Sequence, residues 1–560
     1  MADGVELMMT MISMISTMWP PQATVYDGCA FDFIVVGSGA GSVVANRLSE
    51  RSDFNVLLIE AGDIPDDDTR IPAKFGSVIN TPWDWNFTAE ADATSVSQEK
   101  GRFSVPHGKL LGGTSSINHL FYLRGDPADF NEWADLLNDP SWRYDNIVPY
   151  FNKIENKKYE PVMNSPRESI RSNGMMSITS QPTDVSKRYI EAFDEVGYPA
   201  NPDMNGGNIM GYGDTQYHSD VVRQDTAMNY ILPARNRPNF HLLKNAFVTK
   251  VIIENKVAIG VEVVLFNNEK IIIKANNEVI VSAGVVNSPK LLSLSGVGPK
   301  EVLEKYGIPV VVDLPVGENL QEHVVVPVVH KMEYSTAKKT VVSSDKLPFP
   351  FLLGSCSLNG QAPPEYQTTV ALLEHDTDFL MALCSGVFGI KTETCTMLVD
   401  ECAGRDVMYS FVTIYKPASR GSVTIQSADP YVYPKIKFNF YENKTDLTNM
   451  VLYIKDFLSI GNSTYFKNAK AELIMPELDD CSGDYWECYT MQNTVHMFHP
   501  TSTCPMGTVL DSKANVKGLK RLRVVDSSAL PSITRANNLA AVIMLAEKIS
   551  DDIKNSYPRC

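Results

Sequence analysis

The chain has 560 residues, of which 44% are hydrophobic and 21% charged, and a formal net charge of −16 at pH 7. This length predicts at least two structural units with ample hydrophobic core, because single domains are usually much shorter. The acidic balance argues against nucleic acid and anionic membrane surfaces as partners, since like charges repel.

The N-terminal segment leaves the cellular compartment open. Residues 7–16 are apolar enough for the core of a signal peptide, but Asp3 and Glu6 stand where signal peptides carry basic residues. Acceptor sequons for N-glycosylation at Asn86, Asn443 and Asn462 favour a secreted protein. No run of about 20 apolar residues occurs, so no transmembrane segment is predicted.

An apolar run, a glycine-rich turn and a second apolar run follow one another between residues 31 and 60. They predict a strand, a turn that opens a helix, and a second strand, which is typical of a dinucleotide-binding unit. Gly37 and Gly39 permit the tight turn and the close approach of the backbone to a pyrophosphate. Ser42 stands where such units carry a third glycine, and it is small enough to be tolerated.

Glu60 ends the second apolar run, 23 positions after Gly37. At the tip of the second strand its carboxylate can accept hydrogen bonds from ribose hydroxyls, and it would repel a 2′-phosphate. The unit therefore favours FAD or NAD over NADP.

Further secondary structure is expected along the rest of the chain. Alternating or apolar runs predict strands at residues 240–243, 246–253, 270–281, 423–425, 433–438 and 522–525. A long apolar helix is predicted over residues 539–553, and residues 152–235 are polar with a helical tendency.

These elements predict an α/β fold with two domains. A discontinuous Rossmann-like cofactor domain takes residues 28–151, 236–330 and 491–560. An α+β substrate domain, built on an antiparallel sheet, takes residues 152–235 and, as its main part, 331–490. Both ends of the chain then belong to the cofactor domain.

The nine cysteines form no Cys-x-x-Cys pair, so no metal site is predicted. The seven-residue spacings of Cys395 with Cys402 and of Cys481 with Cys488 would suit short disulfide loops in a secreted protein. Buried free thiols are the equally supported alternative.

Five motifs resemble those of the glucose-methanol-choline (GMC) family of flavin oxidoreductases, in the family's order and over nearly the whole chain. They lie at residues 108–118, 284–298, 316–323, 499–507 and 523–531. The third reads Val-Gly-Glu-Asn-Leu-Gln-Glu-His, where the family has Asp in place of Glu322.

The resemblance implies FAD as the cofactor and His499 as the catalytic base, with Asn537 at the position where the family has His or Asn. It implies FAD contacts at Gly37, Gly39, Ser42, Glu60, Gly112, Gly113, Thr114, Ser115, Asn118, Val248 and Asp526. Ile117 stands where some members carry a histidine bonded covalently to the flavin, so noncovalent FAD is expected, although His119 lies close by. His496 is interpreted as structural.

Several positions depart from the family pattern. Ser502 replaces a glycine, His107 an arginine, Ala541 a proline and Leu539 a second asparagine. These departures concern the surroundings of the flavin and not the proposed base.

The resemblance implies FAD-dependent oxidation of a small-molecule alcohol to a carbonyl, with hydride transfer to flavin N5 and O₂ or another electron acceptor. Residues 19–23, shortly before the first strand, look like insect members, among which glucose dehydrogenases and ecdysone oxidases occur. An ecdysteroid 3-hydroxyl, a sugar and an aromatic alcohol are the substrates considered. The alternatives are a flavin-containing hydroxynitrile lyase and a catalytically silent binding protein of the same fold.

Overall fold

The computed structural model describes residues 2–159, 173–333, 344–374 and 376–558. Its strands are β1 (Ala30–Val36), β2 (Val56–Ile59), β3 (Phe87–Thr88), β4 (Ser104–Val105), β5 (Glu155–Lys157), β6 (Met176–Ser180), β7 (Gly211–Asp214), β8 (Gln216–Tyr217), β9 (Phe240–Leu243), β10 (Phe247–Glu254), β11 (Val257–Val264), β12 (Lys270–Val281), β13 (Val297–Gly298), β14 (Val312–Asp313), β15 (Glu318–Leu320), β16 (Val324–Met332), β17 (Phe351–Cys356), β18 (Tyr366–Leu373), β19 (Asp406–Ile414), β20 (Gly421–Thr424), β21 (Lys435–Lys437), β22 (Glu472–Leu473), β23 (Val495–His496) and β24 (Leu522–Val524).

Its α-helices are α1 (Ala2–Ser16), α2 (Ala40–Ser49), α3 (Asp67–Arg70), α4 (Pro127–Leu137), α5 (Tyr144–Ile154), α6 (Asp184–Glu195), α7 (Leu232–Ala234), α8 (Gly284–Leu294), α9 (Lys300–Lys305), α10 (Thr377–Met381), α11 (Thr392–Glu401), α12 (Lys444–Phe457), α13 (Thr464–Asn468), α14 (Tyr485–Asn493) and α15 (Leu539–Ser556). Within the described ranges, no helix is long and apolar enough to span a bilayer.

The first large sheet has the strand order β10-β11-β12-β1-β2-β9, with β24 also paired to β12. Strands β12, β1, β2, β9 and β24 run parallel, whereas β10 and β11 form an antiparallel extension. The four residues of β2 are buried, as expected for a parallel strand covered on both faces.

The register of this sheet brings distant parts of the chain to one edge. Val36 lies beside both Ile59 and Val281, and Val281 lies beside Val524. The residues that follow these four strand ends therefore share the carboxyl edge of the parallel sheet, where open α/β sheets bind their ligands.

Helices α2 and α15 pack together against this sheet and are joined by a buried ion pair. The carboxylate of Glu547 accepts hydrogen bonds from Nε and Nη2 of Arg47 at 2.7 and 2.8 Å, and from the hydroxyl of Tyr230 at 2.9 Å. Since α2 begins at the glycine turn and α15 lies at the other end of the chain, this contact closes the discontinuous domain.

The second large sheet is antiparallel, with the strand order β22-β16-β19-β18-β17-β7 and β23 also paired to β16. Alternation along β16 divides its side chains between the two faces. Val326 and Val328 pack on the face covered by Phe193 and Phe457. Val325 and Val329 lie on the opposite face, which we call the aromatic face. The latter side carries a cluster that includes Phe75, Phe121, Phe349, Phe351, Tyr409 and Phe411.

The predicted α/β fold with an antiparallel substrate sheet is confirmed, as are strands at all six predicted positions and the C-terminal helix. Residues 152–235, interpreted as helical, also contain strands β5 to β8. For the domain division we propose the predicted segments, with β16 assigned to the substrate domain because its whole length pairs within the second sheet.

One of the two predicted cysteine pairs is wrong. Cys481 is bonded to Cys488 as the spacing suggested, but Cys395 is bonded to Cys384, and Cys402 is a buried free thiol. Cys395 lies within α11 and Cys402 caps its C-terminus. Seven helical residues place their Cα atoms about 10 Å apart, too far for a disulfide.

We expect Glu547→Ala to lower the free energy of unfolding of the cofactor domain by about 3–5 kcal/mol, because Arg47 and Tyr230 then lose a buried partner. Urea denaturation followed by far-UV circular dichroism measures this. The control is Asp135→Ala, which removes an exposed ion pair with Arg143 and should cost at most about 1 kcal/mol. Equal effects of the two substitutions would contradict the structural role of Glu547.

Candidate active site

A single cavity collects most of the predicted site residues at the carboxyl edge of the parallel sheet. It is lined by Gly37, Gly39, Glu60, Gly112, Gly113, Thr114, Ser115, Asn118, Val248, His499, Asp526 and Asn537. Elements from four separate parts of the chain thus contribute to one site.

The two glycines of the first turn serve different physical purposes. Gly37 has φ +94°, and a Cβ atom there would lie 2.3 Å from the carbonyl oxygen of Ser282. Gly39 has an ordinary φ of −67° and caps the N-terminus of α2. The nearest atom to a Cβ on Gly39 would be the carbonyl oxygen of Gly112, 3.9 Å away. The protein itself therefore requires glycine at position 37, whereas the space beside Gly39 is open to a ligand.

Ser42 is the predicted FAD contact that lies outside this lining. It is fully buried, and its hydroxyl donates a hydrogen bond to the carbonyl oxygen of Ser38 within the turn. The close helix–strand packing is made by Gly41, where a Cβ atom would lie 2.8 Å from Cγ1 of Val35. Gly41 therefore fulfils the packing role of the third glycine, and Ser42 supports the turn from behind.

Glu60 is buried and linked to both glycine turns through Ser38. Its Oε2 accepts hydrogen bonds from the backbone N–H and the hydroxyl of Ser38 at 2.9 and 2.6 Å, and its Oε1 accepts from the backbone N–H of Gly62 at 2.9 Å. The Ser38 oxygen in turn accepts from the backbone N–H of Gly112 at 3.1 Å. Burial raises the pKa of Glu60, against the opposing effect of these donors.

The second glycine turn begins at Gly112, whose φ is +89°. Its last predicted contact, Asn118, is held by Arg223, a buried residue that sequence analysis missed. Nη1 of Arg223 donates to the backbone oxygen and to Oδ1 of Asn118 at 2.7 and 2.8 Å. Because guanidinium only donates, this contact assigns Oδ1 to Arg223 and leaves the amide nitrogen of Asn118 as the available donor.

Asp526 fixes the N-terminus of α8 to the end of β24. Its Oδ2 accepts from the backbone N–H of Gly284 at 2.9 Å and from the hydroxyl of Ser288, and its Oδ1 accepts from the backbone N–H of Ser528 at 2.8 Å. Burial raises the pKa of this carboxyl group.

His499 belongs to a hydrogen-bonded chain of two imidazoles and one amide. Its Nδ1 lies 2.9 Å from Nδ1 of His323, and its Nε2 lies 2.9 Å from Nδ2 of Asn537. Nε2 of His323 lies 3.2 and 3.1 Å from the carbonyl oxygens of Tyr415 and Thr534.

The two carbonyl oxygens determine the position of every proton in this chain. They only accept, so Nε2 of His323 must donate, and burial, which lowers the pKa of His323 to about 4, leaves its Nδ1 as an acceptor. Nδ1 of His499 therefore donates, and Nε2 of His499 carries a lone pair that accepts from Asn537. Burial and the neighbouring histidines hold the pKa of His499 well below 6.5, so the ring is neutral at neutral pH.

Glu322 holds the backbone of both histidines, which sequence analysis did not foresee. Its Oε1 accepts from the backbone N–H of His323 at 2.8 Å and of His499 at 2.9 Å. Oε2 of Glu322 lies 3.2 Å from Nδ1 of His496, whose Nε2 donates to the carbonyl oxygen of Ser104 at 2.8 Å. His323 and Glu322 both lie in the motif at residues 316–323, but only the folded chain brings them to His499.

The departures from the family pattern are divided between the cavity wall and its support. His107, Ile117 and Leu539 line the cavity, whereas Ala541 and Ser502 do not. Ser502 is fully buried and has φ +66°, a conformation in which glycine carries no steric cost. This backbone conformation explains why the family usually has glycine at this position.

Two features of the residues that line the cavity fit a bound dinucleotide. The two glycine turns approach so closely that a Cβ atom on Gly113 would lie 3.2 Å from Cα of Gly39. The open side of Gly39 adjoins the N-terminus of α2, which favours an anionic group. Glu60 and the neutral His499 then lie in one continuous lining with these turns.

We expect Gly39→Ala to weaken FAD binding while the apoprotein keeps its secondary structure, because the added methyl group enters the ligand space and no protein atom. Gly37→Ala should also lower the yield of folded protein, since its methyl group collides with Ser282. FAD per protein from absorbance, with circular dichroism of the apoproteins, separates the two effects. Full FAD occupancy in Gly39→Ala would contradict the proposed location of the pyrophosphate.

We expect His323→Leu to slow alcohol-driven flavin reduction by about 10²-fold or more, because Nδ1 of His499 loses the acceptor that selects its tautomer. In His323→Gln the side-chain oxygen can accept from His499 and the amide can donate to the carbonyl groups, so much of the rate should return. Stopped-flow absorbance under anaerobic conditions gives both rates. Equal rates in the two variants would count against the tautomer role.

Comparison with known proteins gives the same family as the sequence motifs. Residues 31–325 and 417–546 match the N- and C-terminal models of the GMC oxidoreductase family. The chain is 33% identical to an ecdysone oxidase of Bombyx mori over 97% of this chain and 85% of the relative. It is 33% identical to a glucose dehydrogenase (FAD, quinone) of Drosophila pseudoobscura pseudoobscura over 94% of this chain and 87% of the relative.

Solved structures agree with these sequence relatives. Pyridoxine 4-oxidase from Mesorbium loti superposes with a TM-score of 0.80 at 25% identity, covering 95% of this chain and 100% of the other. A formate oxidase superposes with a TM-score of 0.81 at 25% identity, covering 95% and 99%. The chain therefore belongs to the GMC oxidoreductase family, the FAD-dependent enzymes that act on the CH–OH group of alcohols.

Proposed function

We propose that His499 is the base that accepts the hydroxyl proton when this enzyme oxidises an alcohol to a carbonyl. The supporting observation is the hydrogen-bond chain that ends in the lone pair of His499 Nε2, beside Asn537 in the cavity lining. A general base must be unprotonated at the working pH. The low pKa that burial and neighbouring histidines give His499 meets this requirement.

Asn537 is proposed to hold the alcohol oxygen. In the structure its Nδ2 donates to the single lone pair of His499 Nε2 at 2.9 Å. The alcohol takes the place of this hydrogen bond: it donates its proton to the freed lone pair of His499 Nε2, and its oxygen accepts from the amide of Asn537. As the proton leaves, the amide hydrogen bond stabilises the negative charge that grows on the oxygen.

FAD, when bound, supplies at flavin N5 the acceptor for the hydride that leaves the carbon atom bearing the hydroxyl group. The two glycine turns would hold its pyrophosphate, Glu60 its adenosine ribose, Val248 its adenine and Asp526 its ribityl chain. We infer noncovalent attachment, because Ile117 lines the cavity with a side chain that cannot bond to the flavin.

An ecdysteroid 3-hydroxyl, oxidised with O₂, is the substrate we favour. Ecdysone oxidases of two insects are 33% and 32% identical over nearly the whole chain. The cavity lining beside the base includes Phe121, Met497 and Phe498, an apolar surface that suits a fused-ring skeleton. A sugar oxidised with another acceptor is the second candidate, supported by the glucose dehydrogenase relatives.

The decisive experiment is anaerobic titration of the purified holoenzyme, followed at the flavin absorbance near 450 nm. Ecdysone, glucose and an aromatic alcohol are added separately, and air is then admitted. Bleaching by ecdysone and rapid return of colour in air are expected. Bleaching by glucose alone, with slow return, would select the dehydrogenase function, and no bleaching by any alcohol would favour the lyase or the silent binding protein.

We expect His499→Ala to retain FAD and to lower the rate of alcohol-driven flavin reduction by about 10²-fold or more, the usual contribution of a general base. The matched control is His241→Ala, which removes an imidazole of strand β9 that hydrogen-bonds Asn55 outside the cavity. Stopped-flow reduction is measured for both variants. An unchanged rate in His499→Ala would exclude this residue as the base.

A further inference from the structure

His119 is a partly buried polar residue of the cavity that the proposed chemistry does not use. The residue belongs to the cavity lining, and its Nε2 atom is buried without a hydrogen-bond partner. Taking an imidazole nitrogen out of water without a partner costs free energy. A ligand that binds in the cavity is therefore expected to supply the missing hydrogen-bond partner of this nitrogen.

The ring of His119 is held firmly among aromatic side chains. Its centroid lies 5.4 Å from that of Phe75 and 5.6 Å from that of Phe498, with interplanar angles of 85° and 80°. Phe75 in turn packs edge-on against Phe349 and Phe351 of the substrate domain, at centroid distances of 6.3 and 6.4 Å. His119 therefore lies on the substrate side of the cavity.

The charge state of His119 suits a neutral hydrogen-bonding group. Burial, with a smaller contribution from the positive charge of Arg223, lowers its pKa to about 4. The imidazole is thus neutral at neutral pH and presents one donor and one acceptor. It is also close enough to His499 to contribute to the lowered pKa of that residue.

We propose that His119 binds a second hydroxyl of the substrate, close to the carbon that is oxidised, and so selects diols over monohydroxy alcohols. This proposal rests on the proposed function, since it assumes that the alcohol to be oxidised is bound at His499 and Asn537. Beside these aromatic rings, one imidazole pairs with one substrate oxygen, and a substrate without that oxygen leaves the imidazole unpaired. The 2,3-diol of ecdysteroids and the adjacent hydroxyls of sugars both present this chemistry.

The test compares substrate pairs that differ by one hydroxyl. Values of kcat/KM are measured for the holoenzyme with ecdysone and 2-deoxyecdysone, and with glucose and 2-deoxyglucose. We expect the hydroxylated member of the accepted pair to be preferred by on the order of tenfold, the value of one hydrogen bond that is otherwise left unmade. Equal kcat/KM within the accepted pair would overturn the proposal while leaving the proposed function intact, whereas oxidation of neither pair would be a failure of the proposed function itself.

Substitutions of His119 test whether this residue causes the preference for the hydroxylated substrate. His119→Leu should reduce the ratio of the two kcat/KM values to near one, and His119→Gln, whose amide can still pair with a hydroxyl, should restore part of it. The control is His330→Leu, which removes another imidazole with a buried, unpartnered nitrogen, outside the cavity lining. It should leave the ratio unchanged.

FAD is the competing partner for the same imidazole. The flavin absorbance spectrum and the FAD content of His119→Leu are therefore recorded beside the kinetics. A shifted spectrum or loss of FAD, with the substrate ratio unchanged, would assign His119 to the cofactor and overturn the proposal. An unaltered spectrum with a reduced ratio supports it.

Discussion

The contact between His323 Nε2 and two backbone carbonyl oxygens is the constraint on which the candidate chemistry depends. One carbonyl belongs to Tyr415, just after strand β19 of the substrate sheet, and the other to Thr534, in the segment before helix α15. His323 therefore takes its protonation state from both domains at once. Because this state selects the tautomer of His499, correct packing of the two domains is a condition for a usable lone pair at Nε2.

The electrostatics of the site favour a base that accepts a proton only briefly. Burial and three neighbouring imidazoles make a charged His499 unfavourable, which keeps the ring neutral before the reaction. The nearby carboxylate of Glu322 binds the backbone N–H of His499 and not its ring. Among the residues that the structure describes, the ring nitrogens of His499 have no carboxylate partner, so a proton accepted in the proposed reaction would have no stabilising counter-charge from a carboxylate there.

The sequence predicted local features well, because they depend on neighbouring residues. The strand–turn–helix at Gly37 and the acid at Glu60 follow from chain-local geometry, and both residues line the cavity. The pairing of Cys395 was wrong, since spacing alone ignores that a helix separates Cys395 and Cys402. The sequence also did not predict that Gly41, and not Ser42, makes the close contact between helix and strand, because this depends on how Val35 approaches the helix.

The supporting residues were missed for a different reason. Arg223 reaches Asn118 across 105 positions, and His323 reaches His499 across 176. No periodicity or spacing rule encodes contacts of that separation, and a histidine within a motif does not reveal which nitrogen donates. Only the folded chain supplies the carbonyl groups that settle the question.

His499 and its hydrogen-bond partner His323 lie where the chain passes between the two sheets. Strand β23 pairs with β16 of the substrate sheet just before His499, and shortly after it the backbone N–H of Cys504 donates to the carbonyl oxygen of Ser528 in the cofactor domain. His323 likewise directly precedes β16. Both imidazoles are fixed by backbone pairing, so side chains on the aromatic face of the second sheet can change without moving them. Among relatives that share about a third of their residues, the differences that change the alcohol substrate are therefore expected mainly on that face.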